Sequence, residues 1–576
     1  MTNREVADLL RLIADMLEIK GEIIYKSLAY RKAADNIEAL GIDINEVWRR
    51  DGLRDIPGVG KALEQKLDEL LSTGKLGYLE DLQEQVPVGV VSLLRIPDVG
   101  PKTVKLLWES LGVQSVSDLE RAARQGKLRE LPGMGERSEQ RILEGIQSLY
   151  RRTTRIPLGV AWPVARELVA ALRQELDIET VEPVGSLRRM KDTVGDIDLL
   201  AAHSDPGLVT SAFTRLPQVA ETVMHGPTRA TVILHNGLQV DLRALERERY
   251  GSLLQYFTGS KEHNVAIRTL AQKQGLSLSE YGFKRGETEI LCPQEDDVYQ
   301  ALDLPWIPPE LREDRGEIQA AQRNQLPQLV QLSDIRGDLH AHSNWSDAVA
   351  TIEEMAASAQ ALGYEYLVIS DHTHGLGVAN GLDAGRLREQ RALIEELNAE
   401  FSGFRLLQGA EVEIRGDGAL DFPDDVLQQL DVVVASVHSG MRQDRDTITG
   451  RVVRAMRNPH VDIIGHPSGR LLGEREATQV DLDQVIEVAA ETGTLLEVNA
   501  SPHRLDLDDA HIRRAIGLGL LLSINSDAHS TEGLEFMEFG VATARRGWAE
   551  AKHIVNTWPL SKVVKRLALK EAGSVS

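Results

Sequence analysis

Apolar residues recur at helical spacing through the first 150 residues; Val6, Leu9, Leu10, Ile13, Met16 and Leu17 mark the first such face. Three related units follow. Ile56-Pro57-Gly58-Val59-Gly60-Lys61, Ile96-Pro97-Asp98-Val99-Gly100-Pro101-Lys102 and Leu131-Pro132-Gly133-Met134-Gly135-Glu136 each precede a helical pattern. They share a design without a fixed period, which excludes a solenoid. From about Arg155 the texture turns to mixed α/β, with strand-like runs at 180–184, 196–202, 230–234 and 238–242. A proline-rich stretch at 305–309 and a Gln-rich segment after it read as a linker. Beyond Asp334, short apolar strands alternate with helical segments. The strands end near His340, Asp371, Glu413, His438, His466, Asn499 and Asp527. That alternation predicts parallel strands covered by helices, in a barrel-like α/β domain.

Length and charge sharpen the picture. A chain of 576 residues needs several cores. No apolar run approaches the roughly 18–20 residues that span a bilayer, and residues 1–24 alternate charged and apolar positions unlike a signal peptide. The single cysteine, Cys292, excludes an intrachain disulfide framework and fits a reducing cytoplasm. The net charge of −23 argues against nucleic acid as a partner at face value. Net charge describes the whole molecule, however, and carboxylate-rich metal sites contribute to it. Of 15 histidines, 11 follow Gln331, so the C-terminal region is the one suited to metals.

A turn with glycines before a helix lets another backbone approach closely and leaves N–H groups free to hold a phosphate. Three copies favour a grip on the DNA backbone through Gly58, Gly60, Gly100, Lys102, Gly133 and Gly135. They resemble helix-hairpin-helix motifs, which hold phosphates without reading sequence. The second copy carries Asp98 where glycine is usual.

Gly185-Ser186-Leu187-Arg188-Arg189 is followed by Gly195-Asp196-Ile197-Asp198-Leu199-Leu200. Strand alternation puts Asp196 and Asp198 on one face, and Asp241 follows on a second strand. Asp-x-Asp alone is common on surface strands; the whole set is not. Carboxylates this close repel unless cations lie between them. Three can hold two Mg²⁺ (or Mn²⁺) ions, which lower the pKa of an attacking hydroxyl and neutralise a triphosphate. The Gly185-Ser186 turn offers N–H groups and a hydroxyl to phosphate, and Arg189 adds a planar cationic fork.

This constellation resembles the palm of the DNA polymerase beta-like nucleotidyltransferases, family X. The resemblance spans residues 1 to about 315 and continues through Tyr256-Phe257-Thr258-Gly259-Ser260, Asn264 and Arg268. It implies a nucleotide site built from Gly185, Ser186, Arg189, Gly195, Tyr256, Phe257, Gly259, Asn264 and Arg268. Tyr256 and Phe257 would pack at the sugar and base; Asn264 and Arg268 would face the minor groove. Lys66, on the helix after the first hairpin, matches the family lysine that forms a Schiff base with an abasic sugar, which needs a lowered pKa. Gln239 stands where eukaryotic members often carry arginine.

The C-terminal region offers His340, His342, Asp347, His372, Glu411, His438, His466, Asp527 and His529, nearly all at or just past strand ends. In a parallel barrel those ends converge on one face. Imidazoles with a few carboxylates suit Zn²⁺, Mn²⁺ or Fe²⁺, and nine ligands suit two or three ions that promote phosphoester hydrolysis. These motifs resemble the polymerase and histidinol phosphatase (PHP) domain over about 335–570. That resemblance implies 3′→5′ exonuclease activity, or cleavage at abasic sites or of a 3′ phosphate.

The expected architecture is therefore multidomain: a helical helix-hairpin-helix region, an α+β nucleotidyltransferase palm, and an α/β PHP domain as a distorted (β/α)7 barrel. The expected divisions are 1–85 (8-kDa-like), 86–155 (fingers-like), 156–240 (palm), 241–315 (end of palm and thumb-like), 316–334 (linker) and 335–576 (PHP). The expected partners are gapped or primer-template DNA and deoxynucleoside triphosphates, with no membrane, for a monomer in the bacterial cytoplasm engaged in base excision repair. Two alternatives remain open here: a nucleotidyltransferase acting on RNA or a small molecule, and a catalytically inactive DNA-binding scaffold.

Overall fold

The computed structural model describes every residue except 1, 2, 23, 39–43, 51, 57, 97, 98, 154, 177–179, 377, 378, 474 and 572–576. Pro57, Pro97 and Asp98 of the hairpins thus lie outside the described residues. The chain divides into two units, Met1–Thr154 and Arg155–Ser576.

The first unit is helical. Its opening helix, Asn3–Lys20, buries Val6, Leu10, Ile13, Met16 and Leu17, the face marked by the apolar spacing. These pack with Leu67, Val104, Leu107 and Ile146 from later helices in one core. One plan recurs three times. A 3-10 turn (Leu53–Asp55, Ser92–Arg95, Leu128–Glu130) leads into a hairpin and then a helix (Lys61–Thr73, Pro101–Leu111, Glu136–Thr153). Each hairpin closes on the same bond, from Val59 N–H to Ile56 O at 3.0 Å, Val99 to Ile96 at 3.1 Å and Met134 to Leu131 at 3.1 Å.

The second unit begins with β1 (Ile156–Pro157), β2 (Val181–Pro183), β3 (Thr193–Val194), β4 (Ile197–Ala202), β5 (Val219–His225), β6 (Arg229–Leu234) and β7 (Gln239–Leu245). β1 pairs with β3; the others form a five-stranded sheet in the order β2-β4-β7-β6-β5. Helices Leu158–Leu176 and Pro206–Phe213 cover its apolar face. β5 has no counterpart in the hydrophobic pattern. It is an edge strand with almost every side chain exposed, so burial imposes no alternation on it. Next come helices Tyr250–Thr258 and Lys261–Lys273 and a small sheet of β8 (Ser277–Ser279), β9 (Gly282–Arg285) and β10 (Thr288–Ile290).

The Gln-rich stretch 316–334 is packed and not a free tether. Its helix Glu317–Gln322 buries Glu317, Ile318 and Ala321, and Val330 joins the core of the following domain. Composition hides this because Glu317 is buried against His263, at 2.6 Å.

Seven parallel strands follow in sequential order: β11 (Gly337–Ala341), β12 (Tyr366–Ile369), β13 (Arg405–Glu413), β14 (Val432–Ser436), β15 (Ile463–Ile464), β16 (Leu495–Asn499) and β17 (Leu522–Asn525). A bridge between Ala341 and Ala528 brings the last strand back to the first, giving a nearly closed barrel. Tyr366, Val368, Leu407, Val432, Val434, Ile463 and Leu495 form a core of their own with Val555 and Val563. Five of the helices between strands start on side chains that accept a backbone N–H: Thr351, Asp383, Asp444, Asp481 and Asp508.

Beside that bridge, a buried amide also ties the seam between β11 and β17. Asn556 donates through Nδ2 to Gly337 O at 3.0 Å and Ile524 O at 2.7 Å, and accepts from Ile524 N–H at 2.8 Å. Asn556→Ala strands these buried backbone groups and should destabilise the barrel by about 2–4 kcal/mol. Urea unfolding followed by barrel-domain fluorescence checks this; an unchanged midpoint would contradict it.

Candidate active sites

In the hairpins, Gly58 and Gly133 have φ of +93° and +78°, which glycine adopts without strain. Gly60 and Gly100 do not: φ is −88° and −86°. A Cβ at Gly60, Gly100 or Gly135 would meet nothing within 4 Å. Among the described residues nothing occupies the space beside these three glycines. Gly60 and Gly100 begin their helices without a capping side chain, which leaves the first N–H groups outward. Lys102, two residues after Gly100, is exposed.

Lys66 lies on the helix after the first hairpin. Its Nζ donates to Tyr30 Oη at 2.6 Å and sits 3.2 Å from the centre of the Tyr78 ring. Burial and the nearby Lys26 hold the ammonium below the usual lysine range. Such a lysine reaches its neutral, nucleophilic form more easily.

In the second unit, Asp196 stands at the entry to β4 and Asp198 within it, opposite Asp241 on the parallel neighbour β7. Burial, with the Asp196 and Asp241 carboxylates beside it, pushes Asp198 up to about 7. Burial and Asp241 raise Asp196. Although burial acts to raise it, hydrogen bonds from Thr231, Gln239 and Arg229 hold Asp241 low. Those bonds are 2.6, 3.0 and 3.0 Å. Two carboxylates raised beside a third that stays charged fit a site for divalent cations, which would remove the repulsion. Gly185, at φ +67°, brings the turn so close that its Cβ would lie 3.5 Å from Asp198 Oδ2. Gly195 is open on the same approach.

Both arginines of this turn are engaged. Arg188 is paired with Glu295 at 2.7 Å and Glu182 at 3.4 Å. Arg189 donates through Nε to Glu313 at 3.1 Å and through Nη1 to Thr258 O. Arg189 is thus held beside the turn and not presented as a free fork. Tyr256 and Phe257 meet edge to face at 5.2 Å, and the Arg268 guanidinium lies 5.5 Å over the Tyr256 ring. Asn264 is buried, donating to Tyr256 O at 2.7 Å and accepting from Gln255 at 2.8 Å. Gly259, at φ +70°, leaves room for Arg189 Nη1, 3.0 Å from where a Cβ would be.

In the barrel, all nine expected side chains converge. Leu407, Gly409 and Glu411 alternate onto one face of β13, so the strand that fills the interior also delivers a carboxylate to its end. Glu411 is the centre. Its oxygens lie 2.9 Å from His372 Nδ1, 2.9 Å from His466 Nε2, 3.3 Å from His438 Nε2, 3.5 Å from His340 Nε2 and 3.6 Å from His342 Nε2. Asp527 lies 3.2 Å from His342 Nε2 and Asp347 3.5 Å from both His372 and His529. Three ligand groups emerge: His342-Asp347-His372-His529, His340-His342-Asp527 and His372-Glu411-His438. Against burial, Glu411 and Glu413 push His438 up to about 9, and Asp347 and Asp527 push His529 up to about 9. Burial and the imidazoles of His529 and His372 drive His342 down to about 3. The Nε2 atoms of His340 and His342 face each other at 3.1 Å. Imidazole nitrogens turned toward one another and toward shared carboxylates fit divalent cations better than protons.

Sequence reasoning missed the acids behind the ligands. Glu413 accepts from His438 Nδ1 at 2.9 Å, and Glu497 lies 2.8 Å from His340 Nδ1 and accepts from the His466 N–H at 2.7 Å. Asn499 donates to Asp527 at 3.0 Å. Such partners orient imidazole ligands and raise their basicity. The signal was an acid inside an apolar strand, as in Leu495-Leu496-Glu497-Val498-Asn499.

Comparisons with known proteins match both halves of the chain. The DNA polymerase beta thumb family matches residues 253–313, the helix-hairpin-helix domain 1–76, the SAM-like helix-hairpin-helix tandem 90–148 and the PHP domain 338–501. The DNA polymerase/3′-5′ exonuclease PolX of Bacillus subtilis (strain 168) is 41% identical over 567 residues, 98% of this chain and 99% of that protein. The chain belongs to the family X DNA polymerases that carry a C-terminal PHP domain. DNA polymerase lambda of Arabidopsis thaliana is 26% identical over 345 residues, 54% of this chain and 62% of that protein. A probable phosphatase of Thermoanaerobacter sp. (strain X514) is 31% identical over 204 residues, 33% of this chain and 78% of that protein. No helix among the described residues is long and apolar enough to cross a membrane.

Proposed function

We propose that this chain fills short gaps in DNA by template-directed synthesis at the palm and hydrolyses DNA phosphodiesters from the 3′ end in the barrel. The observation that carries this reading is that two chemically different clusters, three carboxylates and nine His/Asp/Glu groups, are gathered in one chain. The proposed division is 1–85 and 86–155 for DNA, 156–315 for nucleotidyl transfer and 335–576 for hydrolysis.

In the palm, Asp196, Asp198 and Asp241 would hold Mg²⁺ or Mn²⁺; the nine barrel side chains would hold two or three Mn²⁺, Zn²⁺ or Fe²⁺. Bound divalent ions polarise phosphate oxygens and make an attacking oxygen nucleophilic near neutral pH. The protein's own groups do the rest. Thr231 and Gln239 fix the Asp241 carboxylate. The Gly185-Ser186 turn lies beside Asp198, where a triphosphate would be gripped by N–H groups. Tyr256 and Phe257 wall the deoxyribose and base, and Arg268 stands over Tyr256. The glycine hairpins hold DNA by its phosphates, which reconciles an acidic chain with a DNA partner. In the barrel, Glu413 and Glu497 orient His438 and His340. Lys66, lowered by burial and Lys26, would attack the aldehyde of an abasic sugar at a 5′ end.

A duplex with a one-nucleotide gap and a 5′ phosphate tests the two activities. The wild type should fill the gap with the templated nucleotide and shorten the 3′ end when deoxynucleotides are withheld. Asp196→Ala should abolish filling and keep shortening; His342→Ala should do the reverse. Loss of both activities from either change would refute separate centres. On a gap with an incised abasic sugar, borohydride should trap the wild type on DNA and leave Lys66→Ala free. Trapping that survives in Lys66→Ala would remove Lys66 from this role.

A further inference from the structure

An ion-pair chain joins the barrel domain to the phosphate-binding turn of the palm. It starts at Arg189, whose Nε donates to Glu313 Oε1 at 3.1 Å. The same oxygen accepts from Arg546 Nη1 at 3.0 Å. Arg546 Nη1 also donates to the carbonyl of Arg189 itself, at 2.7 Å. Arg546 ends the helix Met537–Arg546, which belongs to the barrel domain. Its Nη2 donates to Asp509 at 2.6 Å, and Asp509 is held a second time by Arg315 at 3.1 Å. The side chains of Arg189, Glu313 and Arg546 are only 11%, 12% and 4% exposed.

This arrangement poses a problem for nucleotide binding. The Nε and Nη1 of Arg189 are committed to Glu313 and Thr258 O. To offer a triphosphate more than its Nη2, the guanidinium must leave Glu313. A carboxylate this buried is costly to strand without a cation. Arg546 already sits on the oxygen that Arg189 would vacate. Against burial, Arg189, Arg546 and Lys191 together hold Glu313 in its charged form. Arg546 also fixes the backbone at Arg189, so the turn stays in place while the side chain moves. No hydrogen bond or ion pair joins Arg546 to the nine barrel ligands among the described residues.

We propose that Arg546 of the PHP domain is a positioning residue for DNA synthesis: it keeps Glu313 neutralised and frees the Arg189 guanidinium to turn onto the triphosphate of the incoming nucleotide. This inference rests on the reading of the Gly185–Arg189 turn as the triphosphate site. It gives the barrel domain a part in polymerisation that is separate from its own hydrolytic centre.

The test is steady-state filling of a one-nucleotide gap by the full chain, with exonuclease activity measured on the same preparations. Arg546→Gln should raise KM for the deoxynucleotide about tenfold, the scale of one charged hydrogen bond. It should leave kcat and exonuclease activity within about twofold, since only binding of the triphosphate is affected. Arg546→Lys, which keeps the charge, should recover part of the loss. Glu313→Gln placed in the Arg546→Gln chain should recover most of it, because the carboxylate that captures Arg189 is gone. An unchanged KM in Arg546→Gln, or a joint fall of both activities that neither second change reverses, would overturn the proposal. Arg189→Ala separates the layers. If it raises KM while Arg546→Gln does not, only this inference fails; if it leaves KM unchanged, the triphosphate reading fails with it.

Discussion

Buried charge at the end of the barrel is the constraint to which the rest of the C-terminal domain answers. Glu411 is 2% exposed and has five imidazoles within 3.6 Å. Taking that many ionisable groups out of water is tolerable only if opposite charge goes with them. The fold meets this in two ways. It packs an apolar plug, including Leu407, Val434 and Leu495, directly behind the ligands, which keeps the strand ends in register. It also backs the histidines with Glu413 and Glu497, so that ring orientations are fixed before any ion arrives. The palm repeats the theme on a smaller scale, with Asp198 driven up to about 7 by burial and by the carboxylates of Asp196 and Asp241.

Palm and barrel share a core. Leu505 and Phe539 of the barrel domain belong to the palm's own hydrophobic core, beside Leu158 and Ala165. Gly159 comes so close to Pro502 that a Cβ there would lie 2.1 Å from the proline ring. Arg470 reaches Asp192 at 3.2 Å, and Arg166 reaches Glu538 at 3.3 Å. Burial of this kind makes the barrel a wall of the palm as well as a second catalytic body, which is the setting in which Arg546 can act on Arg189.

Much of this was legible in the sequence. The expected barrel strand ends fall within two residues of those observed, because buried parallel strands must be continuous apolar runs. The convergence of the nine candidate side chains was legible because each stands at or near the end of a strand, and parallel strand ends meet on one face. Less was legible where the determinant is a partner distant in sequence. The pairing of Arg189 with Glu313 and Arg546 spans more than a hundred residues, so the arginine read as a free cation. Glu413 and Glu497 looked like ordinary acids until the barrel placed them behind imidazoles. The exposed strand Val219–His225 left no pattern, and the Gln-rich stretch 316–334 read as a tether because its burial rests on single residues such as Glu317.

The most direct measurement is anomalous diffraction from crystals of the full chain grown with Mn²⁺, recorded at the manganese edge. The account predicts at least two peaks within coordination distance of Glu411, with His340, His342, His438 and Asp527 among their ligands. It also predicts that the histidines close around these peaks without moving the strands. A barrel end with no anomalous density, its histidines still gathered around Glu411, would show that protons alone stabilise this charge and would contradict the account.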